Sequence, residues 1–240
     1  MIKLIQSNTE FDFDFCDSLF MAKILCIYNT YGFKSYTDYW AQNKNAVIAR
    51  LDDCYVIWHN ENADKEELKS FIKTVCNGTV LCGEGLLDDY NLSGHVMKYN
   101  SGVNTQTEAL QPVDDNEILK VYQLLKRCEN ESLNVPEYLH FKADVVHKLN
   151  SDTLKLAYTQ KDNDIVSVAA ANIGGDSAVI TAVATDKEYR RLGFGTDTVK
   201  RLLSFINCKN IYLQRTLNDN EEFYNSLGFI NTAKWFCKIN

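Results

Sequence analysis

Apolar residues recur at helical spacing in several stretches of this chain. Val199, Leu202, Leu203 and Ile206 fall at i, i+3, i+4 and i+7, as do Leu68, Phe71, Ile72 and Val75 within ADKEELKSFIKTVC. Ile118, Val121, Tyr122 and Leu125 share one face behind Asp114 and Asp115, either of which can cap a helix start. Pro136 opens a further helix with Tyr138, Phe141, Val145 and Leu149 on one side. Strand-like runs lie between and beyond them: TLKLAY, IVSVAAANI, AVITAVAT, NIYLQR and TAKWFCKI, with NEEFYNSL as a short helix stopped by Gly228. The order over residues 113–240 is α-α-β-β-β-α-β-α-β.

The first half reads similarly but less sharply. A helix around residues 12–30 precedes a hairpin of AVIARL and CYVIWH turned at Asp52-Asp53, and TVLCGEG and GHVMKYN are short strands after the helix of ADKEELKSFIKTVC. A polar stretch, SGVNTQTEALQPVDDNE at 101–117, separates the halves. The pattern therefore predicts two α/β domains, 1–110 and 111–240, the second a mixed sheet flanked by helices. No sequence repeat relates them, although their element orders are loosely alike.

Composition narrows the function classes. The chain has 240 residues, 45% hydrophobic and 24% charged, ordinary for a globular protein. No run approaches the roughly 18 consecutive apolar residues of a membrane span, and the start, MIKLIQSNTEFDFDF, lacks the apolar core of a secretion signal. Its 8 cysteines are scattered, and its 4 histidines do not join them at zinc spacing. These features predict a reduced, cytoplasmic protein without a metal or membrane partner. A formal charge of −7 supplies no basic stripe for nucleic acid. Residues 1–112 hold 9 Lys and Arg against 15 Asp and Glu, residues 113–240 hold 16 against 17. The acidic first half would attract a cationic substrate, although solubility explains such a balance equally well.

The most informative stretch is VATDKEYRRLGFGT. Two of only 11 glycines, Gly193 and Gly195, stand between a strand and an amphipathic helix, just after Arg190 and Arg191. A helix start offers unpaired N–H groups to an anion, and glycine removes the side chains that would block a phosphate. Thr196 adds a hydroxyl and the arginines add charge. Tight turning alone would also explain the glycines. The dinucleotide fingerprint fails at Thr198, and no P-loop pattern is present.

Followed 29 positions after Gly195 by Tyr224 in FYNSLGF, this stretch resembles the GNAT superfamily of acyl-CoA-dependent N-acyltransferases. Arg190, Gly193 and Gly195 match its (Arg/Gln)-x-x-Gly-x-(Gly/Ala) hallmark; Tyr224, Gly228 and Phe229 match its Tyr-x-x-x-Gly-Phe signature. The resemblance covers roughly residues 113–240. It implies that acetyl-CoA, as co-substrate, is held by the loop Arg191, Leu192, Gly193, Phe194, Gly195 and Thr196, with Arg190 beside it. It implies a splayed, bulged strand whose main-chain groups at Val183, Ala184 and Thr185 are unpaired and bind the pantetheine arm, one amide facing the thioester carbonyl. Tyr224 would protonate the leaving thiolate, since a phenol with a pKa near ~10 is neutral at pH 7; packing alone is the bland reading of that residue. Asn218 and Asn220 stand where many relatives place a cofactor-contacting asparagine, though neither keeps the usual spacing.

The acceptor amine must lose a proton before attack, and many relatives use a glutamate on the fourth strand. Here that strand carries no carboxylate, and Asp186 lies beyond it. Glu131, Glu137 and His140, around the second helix, or a water chain, are the candidate bases. The expectation is thus an acetyl-CoA-dependent N-acetyltransferase acting on a small-molecule or peptide amine, as a monomer or homodimer. A non-catalytic acyl-CoA-binding sensor with the same fold is the alternative. The first domain would cover one side of the acceptor site, either as a degenerate GNAT-like unit or as a dimerisation module.

Overall fold

The computed structural model describes residues 1–13, 18–100, 113–130, 133–217 and 220–239. The first half runs β1 (Lys3–Ile5), α1 (Leu19–Tyr31), β2 (Thr37–Gln42), β3 (Ala46–Leu51), β4 (Cys54–His59), α2 (Lys65–Val75), β5 (Thr79–Cys82) and β6 (Leu92–Tyr99). The second runs α3 (Asp115–Arg127), α4 (Tyr138–Asn150), β7 (Leu154–Lys161), β8 (Asp164–Gly174), β9 (Ser177–Thr185), α5 (Phe194–Phe205), β10 (Asn210–Thr216), α6 (Glu221–Ser226) and β11 (Phe229–Lys238). The second half follows the expected order.

Local signals explain the helix boundaries. Helix α1 starts at Leu19, later than its apolar run suggests, because Ser18 Oγ accepts the Met21 amide at 3.2 Å and fixes the cap there. Asp114, rather than Asp115, caps α3 by accepting the amides of Asn116 and Glu117. Bonds from the Glu117 side chain and from those amides hold the Asp114 carboxyl below its usual range. Lys126 and Arg127 close the other end of α3, where cations favour the helix dipole. Strands β1 and β2 are additions to the expected pattern. Of the polar stretch 101–117, residues 101–112 lie outside the described residues.

The described strands form one 11-stranded sheet in the order β1-β2-β3-β4-β5-β11-β6-β10-β9-β8-β7. Each half contributes an antiparallel meander, β2–β3–β4 or β7–β8–β9, then a helix, then a parallel partner, β5 or β10. The last strands are exchanged. β11 pairs with β5 of the first half, β6 pairs with β10 of the second, and the two meet antiparallel at the centre. Meander, helix, parallel strand and exchanged strand thus recur in both halves, in mirrored sheet order about the β11–β6 pair, although the sequence shows no repeat.

Strand alternation sends side chains to two cores. On one face α1 packs on Val47, Val56, Trp58, Val179 and Trp235, while α3 packs on Leu156, Val168 and Ala184. On the other, α2 covers Ile48, Ile57 and Val80, and α5 covers Ala157, Ala169, Ala171 and Ile180. Helix α1 reaches across both halves. A Cβ at Gly174, the last residue of β8, would sit 1.9 Å from the Ala22 carbonyl oxygen, so only glycine lets the helix backbone lie there. Thr30 Oγ1 meets Thr153 Oγ1 at 2.6 Å from the same helix.

Cys26, Cys82, Cys128 and Cys237 are buried free thiols. Burial pushes the Cys82 thiol up to about 12, which keeps it protonated and unreactive. Among the described residues no helix is long and apolar enough to cross a membrane.

Candidate active site

The site begins where two strands separate. β9 and β10 pair in parallel from Ser177↔Asn210 to Ile180↔Leu213. Beyond that, β10 continues to Thr216 against β6. β9 instead bulges: Ala170 faces Thr181 and Val168 faces Ala184, so Ala182 and Val183 together oppose Ala169. Ala182 takes a φ of +48°, the left-handed conformation that such an extra residue imposes. The result is a gap between β9 and β10 on the side away from β8.

The three strand residues expected at the gap are placed differently. Val183 is half-buried against the core shared by Ile180, Leu213, Phe223 and Tyr224. The Ala184 carbonyl accepts from Ser167 Oγ at 3.3 Å; that of Thr185 accepts from Arg190 Nε at 3.0 Å and Cys128 Sγ at 3.5 Å. Those two carbonyls are therefore engaged, contrary to the expectation that the whole stretch stays unpaired. Pairing with β8 resumes after the bulge, and Arg190 folds back on the strand end.

After β9 comes a 3-10 turn, Lys187–Tyr189, then Arg190, Arg191, Leu192 and Gly193, all exposed. Gly193 is the N-cap of α5 with φ +91°, and no side chain caps that helix. A Cβ at Gly193 would meet only Asp197 Oδ2, at 3.9 Å. No side chain caps the first turn of α5, so its amides are left to an outside acceptor, with the Asp197 carboxylate standing at the edge of that space. Gly195 has another role. Its Cβ would lie 2.9 Å from Thr185 Oγ1 and 3.9 Å from Phe223 Cζ, so glycine there lets α5, β9 and α6 converge. Phe194 is braced edge-on against Tyr189 at 5.6 Å, and half-exposed Thr196 follows in the same turn.

The matching place in the first half is closed. No glycine stands in residues 60–64, between β4 and α2, and Asp64 caps α2 by accepting the Glu67 amide at 3.1 Å. Glu66 and Glu67 add negative charge in the same turn. The chain's own carboxylates occupy this helix start, which repels an incoming anion.

Helix α6 lies beside the gap. Arg215, 3% exposed, bonds Glu221 Oε2 at 2.7 Å and the carbonyls of Thr216 and Leu217, while Asn231 Nδ2 donates to Glu221 Oε1 at 2.8 Å. These bonds fix the start of α6, where Asn220 is the N-cap in the left-handed region at φ +54°. Asn218 lies outside the described residues. Half-buried Tyr224 packs on Phe223 and Phe229, with ring centroids at 5.0 and 6.1 Å.

A cavity of about 840 Å³ opens on the other face of β9 and reaches Thr181 and Ala182 at the bulge. Its walls come from both halves: Tyr31, Tyr36 and Asp52 from the first, α3, α4 and β7–β9 from the second. The Tyr31 hydroxyl donates to Asp144 Oδ1, and Lys148 Nζ donates to Asp144 Oδ2 at 2.8 Å. Burial, reinforced by the bond to Asp144, pushes the Tyr31 hydroxyl well above the usual phenol pKa, so it stays protonated.

Of the candidate bases, His140 lines this cavity. Glu137 is the exposed N-cap of α4 and is absent from the lining, and Glu131 lies outside the described residues. Asp186 is committed to Arg127 Nε at 3.0 Å and to capping the 3-10 turn. Sequence reasoning missed Tyr31 and Asp144, which stand 113 positions apart. The only local signal was the Asp144–Lys148 spacing of four on a helix, the register of an ion pair.

A parallel strand pair that splits at a bulge, beside an uncapped glycine helix start, defines the class: a mixed α/β fold with an open seam in its sheet. The model of the acetyltransferase (GNAT) family matches residues 118–229, within the C-terminal half of the chain. The structure is similar to a GCN5-related N-acetyltransferase from Kribbella flavida at 13% identity, with TM-score 0.57, covering 80% of this chain and 85% of that one. A GCN5-related N-acetyltransferase from Sphaerobacter thermophilus aligns at 8% identity and TM-score 0.56 over 82% of this chain and 80% of its own. A functionally unknown conserved protein from Staphylococcus epidermidis ATCC 12228 aligns at 11% and 0.53 over 87% and 92%. These likenesses show the fold, and their coverage takes in much of the first half as well. No curated protein matches the chain by sequence.

Proposed function

We propose that the chain is an acetyl-CoA-dependent N-acetyltransferase whose acceptor amine enters the cavity between the halves. The carrying observation is the open, uncapped start of α5 directly below the split between β9 and β10. A diphosphate fits there because no Cβ fills the space at Gly193. The amides of the loop from Arg191 to Thr196 hold it, with Arg190 and Arg191 adding charge. The freed edge of β9 around Val183 accepts the pantetheine arm, and a bulge amide faces the thioester carbonyl.

In the reaction the acceptor ammonium first gives a proton to His140, directly or through water. The amine nitrogen then bonds the acetyl carbonyl carbon and the carbon–sulfur bond breaks. Tyr224 gives its phenolic proton to the departing sulfur. The second proton of the nitrogen passes through water to the Tyr224 phenolate as the amide forms, while His140 releases the first to solvent. Residues 1–110 act as an accessory unit that closes the acceptor side through Tyr31 and Tyr36. The buried free thiols suit a reducing compartment such as the cytoplasm.

Titration with acetyl-CoA tests the reading. At 100 times its dissociation constant the ligand is expected to stabilise the fold by about 2.7 kcal/mol. Absence of any stabilisation would remove the proposal, and binding without thiol release on any amine would leave a sensor. Gly193→Val is expected to weaken that binding at least ~10-fold, because its side chain enters the diphosphate space; its φ of +91° also makes valine strained there. Folded Gly193→Val protein with unchanged affinity would count against the loop. Calorimetry is expected to give one acetyl-CoA per chain, since carboxylates fill the start of α2; two sites would contradict that account.

A further inference from the structure

We propose that the acceptor is an amine carrying an apolar body, and that the cavity selects against polyamines and other polycations. The inference rests on the acetyltransferase reading and deepens it. At about 840 Å³ the cavity lies within the ~300–1,000 Å³ of sites that enclose most of a ligand. Its wall is mainly apolar, with Leu125, Leu133, Val135, Phe141, Leu156 and Val168 among the residues that line it. Apolar surface of this kind rewards hydrocarbon and gives nothing to a hydrated cation.

The charged groups in the wall do not offset this. Both Asp144 oxygens are engaged, one by the Tyr31 hydroxyl and the other by Lys148, so the carboxylate is neutralised in place. The Lys148 side chain is only 16% exposed, so the ion pair is held in the wall with no net charge to offer a second ammonium. Asp52 is exposed in the turn between β3 and β4, where solvent screens it. The other polar wall groups are Tyr36, Asn134, His140, His147, Asn172 and the bulge at Thr181, and none of them is a carboxylate that would pair with a second ammonium. An amine that meets the thioester at the bulge leaves the rest of its body against hydrocarbon.

The test uses the full chain and the series ethylamine to hexylamine, with putrescine and spermidine as cationic competitors. KM is expected to fall about four-fold for each added methylene, and hexylamine is expected to exceed both polyamines in kcat/KM. Direct binding of hexylamine is measured by calorimetry with and without acetyl-CoA, so the cavity is read separately from the coenzyme site. Leu133→Glu, at a half-buried loop position, is expected to weaken hexylamine binding at least ~10-fold with acetyl-CoA affinity unchanged. A KM that does not vary with chain length, or spermidine as the better acceptor, would overturn this inference while leaving the acetyltransferase reading intact. Failure to bind acetyl-CoA would instead overturn the acetyltransferase reading, with hexylamine binding still reporting on the cavity.

Discussion

Tyr224→Phe is expected to lower kcat by about 10²–10⁴-fold, the usual contribution of a positioned general acid, with little change in acetyl-CoA affinity. The structure makes this substitution a clean probe. The Tyr224 ring packs edge-on against Phe223 and Phe229, and phenylalanine keeps that packing. The start of α6 is held from outside the ring, by Arg215 and Asn231 through Glu221. The lost hydroxyl is therefore the main change. Single-turnover rates with an acceptor whose chemical step limits turnover are the measurement; a wild-type rate there would exclude Tyr224 as the acid. A parallel drop in coenzyme affinity would show that the hydroxyl mainly organises the binding cleft.

A large loss of stability is expected from Gly174→Ala. The new methyl would sit 1.9 Å from the Ala22 carbonyl oxygen and 2.8 Å from the Cys26 amide nitrogen, so backbone must move. Overpacking of this kind costs about 3 kcal/mol, which for a chain of this size lowers Tm by roughly 6–12 °C. Urea unfolding measures it, and a change under about 0.5 kcal/mol would mean that α1 is not seated as described. Because α1 ends at Tyr31, in the cavity wall, its displacement is also expected to raise acceptor KM more than it changes acetyl-CoA affinity.

Legibility in the sequence followed the range of the interactions involved. The face of α5 was readable because Val199, Leu202 and Leu203 pack at fixed spacing against one sheet surface. The glycine loop was readable because a helix start, its missing cap and its opening all lie within a few residues. Strand β2 was not: Thr37–Gln42 has no clean alternation of buried and open positions, and much of its identity comes from Tyr39 packing under Phe11, Tyr28 and Phe33. The bulge on β9 was expected only through the family resemblance, since nothing in AVITAVAT marks Ala182. The cavity was hidden for the same reason as the strand exchange. Both join residues of the two halves, and neither leaves a periodic trace in the chain. The acidic surplus of the first half pointed toward a cationic acceptor, yet at α2 Asp64, Glu66 and Glu67 are spent on a helix start.

The exchanged strands set a timetable for synthesis. Beside β4, β5 gains its second neighbour only when residues 229–238, made long after it, have left the ribosome. At ordinary elongation rates that interval is on the order of ten seconds, during which a nascent chain shows a bare β edge to its surroundings. Slower translation of the second half is therefore expected to lengthen the time for which that edge can pair with another chain.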